Sequence, residues 1–187
     1  MHEYEHQGHQ TMNYLPFLMI TVLSLGFTGC VSPSHGHQGA RLYRDAIVSK
    51  QGFVLAGADH LSTPGTFKPP VEITVVAATD STNLRLAYAA DQVIFNWELD
   101  PEQLRMDGGP ANGLHKPGAG NIPIGEYVTI RWVVTPRHQA IYVDDELRFE
   151  HEGDYSQLNK CVSVFPGAGS EVIVKSLRVR QLVAPLQ

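Results

Sequence analysis

The sequence predicts an all-β sandwich on three observations. Apolar residues recur at every second position in several segments, these segments are short and bounded by turn residues, and no stretch of ten or more residues carries a helical apolar stripe. Because the side chains of a β-strand point alternately to the two faces of a sheet, such alternation indicates strands with one buried face. About ten strands of this kind, with turns every 6 to 12 residues, are typical of two packed antiparallel sheets.

Four segments carry the clearest alternation, and each predicts one strand. The residues expected to face the core are Val71, Ile73, Val75 and Ala77 in the first, Leu84, Leu86 and Tyr88 in the second, Val93, Phe95 and Trp97 in the third, and Val128, Ile130, Trp132 and Val134 in the fourth. Further strands are expected over 138–144, 146–151, 161–165 and 171–183, and turns over 79–81, 135–137 and 144–145.

The last strand changes its alternation part-way along. Val172 and Val174 lie at even positions, whereas Leu177 and Val179 lie at odd positions. A β-bulge adds one residue to a strand and restores the facing of the side chains beyond it. We therefore expect a bulge near 175–176, which would turn both pairs toward the core.

A glycine-rich segment, 107–125, interrupts the strand pattern. It contains six glycines and three prolines in nineteen residues, so we expect it to be irregular. Loops of this length in compact domains are often functional. The alternative is that its glycines form tight turns that pack across one end of the sandwich.

The composition limits the class of protein. The chain has 187 residues, is 43% apolar, and has 14 Lys and Arg against 19 Asp and Glu, which gives a formal charge of -5. These values predict one globular domain and argue against a disordered tail or a basic nucleic-acid binder. Two cysteines are too few for a disulfide scaffold or a four-thiolate zinc site.

The N-terminal region predicts export. The apolar run 15–29 has no charged residue, and fifteen residues fall short of the roughly 20 that a spanning helix needs but suit a secretory leader. Phe27, Thr28 and Gly29 before Cys30 resemble a bacterial lipobox, at which the cysteine is acylated and the preceding peptide removed. The predicted organisation is a lipoprotein-type signal peptide over 1–29, a flexible tether over 30–42 and a folded domain over 43–187.

Lipidation of Cys30 would hold the protein at a bacterial cell envelope, on a membrane surface and without a spanning helix. The segment before the apolar run has no Lys or Arg, and translation could begin at Met1 or Met12. An ordinary cleaved signal and a short membrane anchor are the alternatives.

Two segments of the C-terminal half carry a family resemblance. Residues 130–155 and 162–179 resemble the late strands of the concanavalin A-like lectin/glucanase jelly roll, with Tyr142, Val143 and Asp144 matching its Tyr-Val-Asp-Gly hairpin and Asp145 in place of the glycine. The resemblance is close to the laminin G-like domains and to the 3-keto-disaccharide hydrolase domains of bacterial surface proteins. The resemblance implies a two-sheet antiparallel jelly roll that binds carbohydrate, in some members beside a calcium ion.

One motif suggests catalysis. Glu98, Asp100 and Glu102 resemble the E-x-D-x-E signature of retaining β-glucanases, in which alternate carboxylates of one strand face the cleft. Two such carboxylates about 5 to 5.5 Å apart can act as nucleophile and acid/base. Pro101 argues against a strand here, because proline removes a ladder hydrogen bond, and a turn is the alternative.

A polar row is the candidate ligand-binding surface. Sugars require an aromatic platform beside side chains that make several hydrogen bonds. The residues opposite the core parity are Arg85, Asn96, Glu98 and Arg131, which would form one row if their strands are adjacent. His115 in the glycine-rich segment is a further candidate, and Trp97 and Trp132 are expected to be structural.

Calcium is the metal that the turns would suit. Asp80, Asp144 and Asp145 offer carboxylate oxygens, although they do not form a dense ligand loop. No other cofactor is expected. The functional hypothesis is a non-catalytic carbohydrate-binding or adhesion lipoprotein of the bacterial cell envelope, with a cell-envelope glycan as partner. The alternatives are a glycoside-acting enzyme and a structural envelope protein that binds other proteins.

Overall fold

The computed structural model describes residues 41–42 and 46–183, and this part of the chain contains strands and no helix. The strands are β1 (Arg41–Leu42), β2 (Ala46–Ala56), β3 (Leu61–Ser62), β4 (Val71–Thr79), β5 (Leu84–Ala87), β6 (Gln92–Phe95), β7 (Leu104–Asp107), β8 (His115–Lys116), β9 (Val128–Val134), β10 (His138–Val143), β11 (Glu146–Glu152), β12 (Ser163–Pro166) and β13 (Glu171–Gln181). All the strand pairs are antiparallel.

The strands form two sheets packed face to face. One sheet has seven strands in the order β1-β2-β13-β4-β9-β10-β11, and the other has six in the order β3-β12-β5-β6-β7-β8. The predicted all-β two-sheet sandwich is therefore confirmed. The strands β1 and β13 lie in the same sheet, so the two ends of the described chain belong to the seven-stranded sheet.

The core between the sheets contains the residues that the alternation predicts, except Trp97. Ile73, Leu86, Val93 and Ile130 are at most 1% exposed. Trp132 is fully buried, and its indole Nε1 donates a hydrogen bond to Oε1 of buried Gln139 at 2.9 Å. Burial of a Trp side chain with its N–H satisfied contributes strongly to stability, since truncation of a core Trp to Ala costs about 3 to 5 kcal/mol.

The hairpin between β10 and β11 turns at Asp144 and Asp145. Their φ values are 49° and 67°, which is the left-handed region that a two-residue turn of type I′ requires. The Asp144 carboxylate also accepts a hydrogen bond from the Thr129 backbone N–H at 2.8 Å. Asp145 therefore takes a positive φ at the position usually occupied by glycine.

The predicted bulge in the last strand is present. The register of β13 with both of its neighbours shifts between Val174 and Ser176, next to Lys175. Val174 before the shift and Leu177 after it are both fully buried. The bulge thus lets one strand cover the core with residues of both parities.

The glycine-rich segment is more regular than we expected. It contains β8, which pairs with β7 through Leu104–Lys116 and Arg105–His115. The Met106 backbone N–H donates to the Leu114 carbonyl at 2.9 Å, so the chain folds directly back on β7. This return places His115 beside Arg105 at the edge of the six-stranded sheet.

The predicted leader over 1–29 and the acylation site Cys30 lie outside the described residues. The predicted tether, 30–42, overlaps the structure at its last two residues, Arg41 and Leu42, which form β1 at the edge of the seven-stranded sheet. Within 41–42 and 46–183, no helix is long and apolar enough to cross a membrane.

Candidate functional site

The outer face of the six-stranded sheet carries a row of side chains that runs across its strands. Phe165 on β12 lies opposite Arg85 on β5, Arg85 lies opposite Ile94 on β6, Ile94 opposite Arg105 on β7, and Arg105 opposite His115 on β8. The flanking residues of each longer strand are buried in the core, so the residues of the row face away from it.

The centre of this row is held by Arg85. Its side chain is 19% exposed, Nη1 donates to Oε1 of Gln92 at 2.8 Å, and Nη2 donates to Oδ1 of Asn83 at 3.0 Å. The Glu98 carboxylate lies 3.8 Å from Nη2. The planar fork of the guanidinium is therefore fixed by three neighbours, and its Nε is buried without a hydrogen-bond partner among the described residues.

Asn83 and Gly167 set the position of Arg85. Asn83 is buried with a φ of 57°, a conformation that asparagine tolerates better than most residues. A Cβ on Gly167 would collide with the Asn83 side chain and lie 2.8 Å from Nη2 of Arg85. Glycine at position 167 thus leaves the space that the guanidinium occupies.

Trp97 lies at the β8 end of the row and is half-buried. The guanidinium carbon of Arg105 is 4.8 Å from the centre of its ring, and the His115 ring meets it edge-on with centroids 5.2 Å apart. Asp107 accepts a hydrogen bond from Arg105 Nε at 2.9 Å, and Gln103 shares one with Nδ1 of His115 at 3.1 Å. The cluster presents an aromatic surface with polar groups around it.

The expectation that Trp97 belongs to the core is wrong. The alternation of β6 ends at Asn96, which has a φ of 48° and turns the chain out of the strand. Trp97 therefore lies after the change of chain direction at Asn96 and not in the strand, and its backbone forms an isolated β-bridge with Asp100. The indole is thereby placed over the outer side of the sheet, beside Arg105.

The predicted polar row of four residues is only partly formed. Asn96 is 3% exposed and is wrong as an exposed member, because Oδ1 accepts from the Ile122 N–H at 2.8 Å and Nδ2 donates to the Ile122 carbonyl at 3.0 Å. Arg131 is also misplaced, since it lies on β9 of the other sheet, with its guanidinium 3.8 Å from the centre of the Tyr142 ring. Arg85 and Glu98 remain together.

Comparisons with known proteins identify the architecture. No protein-family model matches the chain, and no curated protein matches it. The structure is similar to a Crh5 transglycosylase in its apo form (TM-score 0.52, 12% identity, 81% of this chain and 82% of that one). It is also similar to the galectin LEC-6 of Caenorhabditis elegans (0.51, 11%, 71% and 97%) and to a putative glycosyl hydrolase of Parabacteroides distasonis (0.50, 11%, 79% and 92%).

The fold is a concanavalin A-like jelly roll. Identities of 11 to 12% establish the fold alone. The resemblance that the late strands of the sequence carry is thus confirmed at the level of architecture, and the role of each residue in this jelly roll has to be argued from its own geometry.

The carboxylates of the E-x-D-x-E motif do not lie along one strand of the jelly roll. Residues 98–101 form a turn, in which the Asp100 N–H donates to the Trp97 carbonyl at 3.1 Å. Asp100 accepts a hydrogen bond from Gln103 Nε2 at 2.7 Å, and Glu102 accepts one from Asn121 Nδ2 at 2.6 Å. The expected alternation on a strand face is therefore wrong, for the reason that Pro101 suggested.

Two of the three aspartates proposed for calcium, Asp80 and Asp144, accept hydrogen bonds within this jelly roll. Asp80 accepts a hydrogen bond from the Glu171 backbone N–H at 2.8 Å and another from Ser81, and these two bonds lower the pKa of the Asp80 carboxyl. Asp144 caps Thr129, and Asp145 is almost fully exposed 3.9 Å from Arg131. Among the described residues, no group of three or more His, Cys, Asp or Glu could hold a metal ion.

Two of the cavities that open at the surface of the jelly roll are lined by described residues. One, of about 320 Å³, is lined by Phe165, Ser163 and Ala87 of the six-stranded sheet and by residues 57–60 of the loop between β2 and β3. The other, of about 660 Å³, lies at the turn between β9 and β10 and has no aromatic residue in its lining. Only the first is continuous with the row, through Phe165.

Sequence reasoning missed Arg105, Gln92 and Phe165. Arg105 lies in β7, a strand of four residues in which Leu104 and Met106 are buried and Arg105 faces out. The alternation of this segment was a usable signal, although four residues beside a glycine-rich stretch give a weak one. Phe165 was missed for the same reason, because β12 also has only four residues over which to show alternation.

Proposed function

We propose that the protein is a non-catalytic carbohydrate-binding or adhesion protein, and that it binds glycan on the outer face of the six-stranded sheet. The observation that carries the proposal is the half-buried Trp97 ring held beside Arg105 and His115, next to the network of Arg85. An aromatic ring flanked by fixed hydrogen-bonding groups suits a ligand that has both apolar ring faces and many hydroxyls.

The two arginines are suited to recognising hydroxyl groups. A guanidinium has five N–H donors. Arg105 uses Nε on Asp107 and keeps both terminal nitrogens for a ligand. Arg85 uses one bond from each terminal nitrogen on Gln92 and Asn83, and its Nε is buried, so it keeps only the second N–H of each terminal nitrogen. The side-chain oxygens of Glu98, Asp107 and Gln92 supply hydrogen-bond acceptors beside the two arginines. Because these side chains are already held by their neighbours, a ligand would order few of them on binding.

Binding is favoured over hydrolysis by the positions of the acidic residues. A retaining glycosidase needs two facing carboxylates about 5 to 5.5 Å apart. Here Glu98 lies beside Arg85 on the sheet, whereas Glu102 is hydrogen-bonded to Asn121 after the turn. The two carboxylates thus belong to different local networks.

We further propose that the protein acts at the bacterial cell envelope, held on a membrane by a lipid group on Cys30. This proposal rests on the apolar leader over 15–29 and on the small residues before the cysteine. The glycan partner would then be a component of the envelope or of a surface to which the cell adheres.

The proposal is tested with the full-length chain on a glycan array, followed by calorimetric titration of the strongest binder. We expect Arg85→Lys to lower the affinity at least tenfold, because lysine cannot reproduce the planar fork. Arg131→Lys on the opposite sheet is the matched control and should leave the affinity unchanged. Absence of binding to every glycan, or equal losses in the two variants, would overturn the proposal.

A further inference from the structure

We infer that the binding face is a groove across five strands that takes an extended, uncharged glycan chain, with a second contact at Phe165 and the loop 57–60. The inference rests on the proposed function and adds to it the class of ligand. A single terminal sugar would need only the Trp97 cluster at the β8 end. The features at the opposite end of the row, and the balance of charge along it, indicate a longer ligand.

The first step is the length of the row. From Phe165 on β12 to His115 on β8, the cross-strand partners are continuous through Arg85, Ile94 and Arg105. Neighbouring strands lie about 4.8 Å apart, so the row spans roughly 19 Å. A single pyranose ring is much shorter than this. The face therefore offers contacts to several consecutive sugar residues.

The residue at the centre of the row, Ile94, is buried. Ile94 faces outward yet is only 2% exposed, and it is not part of the core cluster. Its partners across the strands are Arg85 and Arg105, whose side chains are 19% and 32% exposed. A chain lying across the strands would thus pass from one guanidinium to the next.

The second end of the row has the features of a subsite. The cavity of about 320 Å³ beside Phe165 is at the lower end of the volumes that bind small molecules. Its floor is low because Ala87 and Ser163, which face each other across β5 and β12, are both small. Asp59 and His60 of the loop form the opposite wall. An aromatic ring and polar groups are combined here as they are at Trp97.

The charges along the row favour a neutral ligand. The carboxylate of Asp107 is hydrogen-bonded to Arg105 at 2.9 Å, and that of Glu98 lies 3.8 Å from Arg85. Each cation of the row therefore has an acidic neighbour. A sulfated or uronic-acid glycan would have to compete with these carboxylates, whereas hydroxyl groups can bind to the remaining donors and acceptors without displacing them.

The test uses the full-length chain and an array of neutral, uronic-acid and sulfated oligosaccharides of two to six residues. We expect the neutral series to bind best, with affinity that rises with length to about four residues and then stays constant. Phe165→Ala should lower the affinity for the longer oligosaccharides at least fivefold, so that affinity no longer rises with length. It should leave the affinity for the disaccharide unchanged. His60→Ala should also lower the affinity for the longer oligosaccharides, by a smaller factor. His60 lies in an exposed loop, so this substitution does not disturb a strand.

The outcomes separate this inference from the proposed function. If no oligosaccharide of any class binds, the proposed function fails. If disaccharides bind as tightly as hexasaccharides, or if the charged series binds best, carbohydrate binding stands and the extended neutral groove is wrong. Equal losses for the disaccharide and the longest ligand in both Phe165→Ala and His60→Ala would also overturn the second contact.

Discussion

The guanidinium carbon of Arg105 lies 4.8 Å from the centre of the Trp97 ring. Because the Asp107 carboxylate accepts a hydrogen bond from Arg105 Nε at 2.9 Å, the guanidinium is fixed where the indole packs against it. One side of the ring is thereby occupied by protein, and the Trp97 side chain as a whole remains half-buried. This arrangement orients a large aromatic surface on a sheet face without burying it in the core.

Replacing Trp97 with Ala should weaken glycan binding and leave folding nearly unchanged. Aromatic and cation contacts of this kind contribute about 0.5 to 2 kcal/mol each, so we expect an affinity loss of roughly 3- to 30-fold. Calorimetric titration measures it. Tyr142→Ala removes an aromatic ring that packs against Arg131 on the opposite sheet, and this variant should bind glycan normally. A Trp97→Ala variant with unchanged affinity would contradict the proposal that glycan binds at Trp97.

Gly167→Ala should both destabilise the protein and weaken binding. The added methyl group collides with Asn83 and approaches Nη2 of Arg85 at 2.8 Å, and overpacking of this kind costs about 1 to 3 kcal/mol. Urea unfolding and glycan titration measure the two effects. Gly169→Ala is the comparison, because its Cβ meets nothing within 4 Å and adds only the strain of a φ of 79°. Normal affinity in Gly167→Ala would show that Arg85 tolerates the displacement.

Alkaline pH should destabilise the protein through its buried tyrosines. Burial raises the pKa of Tyr155 from 10.0 to about 12, and burial also raises the pKa of Tyr88. A group with a raised folded pKa contributes stability that is complete below the unfolded value and is lost as pH rises through the folded one. The free energy of unfolding should therefore fall between about pH 10 and 12.

Tyr155→Phe isolates part of this effect. The variant should lose the share of the decline that belongs to Tyr155 and keep the share of Tyr88. Urea midpoints measured from pH 8 to 12, beside the near-ultraviolet absorbance of tyrosinate, give both quantities. An identical pH profile in the variant and the wild type would show that the Tyr155 hydroxyl does not ionise on unfolding in this range.

Cys30→Ala should release the protein from the membrane. Acylation adds a hydrophobic anchor, and removal of the thiol prevents it. The measurements are the distribution of the protein between membrane and soluble fractions of a bacterial host and the mass of the mature N-terminus. The mass also distinguishes acylation from a disulfide with Cys161, the other cysteine of the chain. A mature protein without an acylated Cys30 would refute the lipoprotein proposal.

The two tryptophans show how far alternation reaches as a predictor. Trp132 continues a regular strand and is buried as expected, whereas Trp97 follows Val93 and Phe95 at the same parity and is not. The difference is local. Asn96 adopts a left-handed conformation and ends the alternation one residue earlier, and asparagine in that position was the available warning.

Arg131 shows a second limit. Its outward facing followed from the strand pattern, but its sheet did not, because strands β4 and β9 pair across more than fifty residues of chain. Long-range pairings of this kind depend on the packing of the whole sandwich, which period-two patterning does not specify. The pairing of the late strands was easier to predict, since the hairpin at Asp144 and Asp145 joins two strands that are adjacent in sequence.

The strand β1 determines which way an anchored domain would face. It lies at the edge of the seven-stranded sheet, and the candidate site lies on the outer surface of the other sheet. The chain from Cys30 to Arg41, fully extended, spans at most about 40 Å. A lipid at Cys30 would keep the domain close to the bilayer and would join it through the sheet that lacks the candidate site. The candidate site would then be free to point outward from the cell envelope.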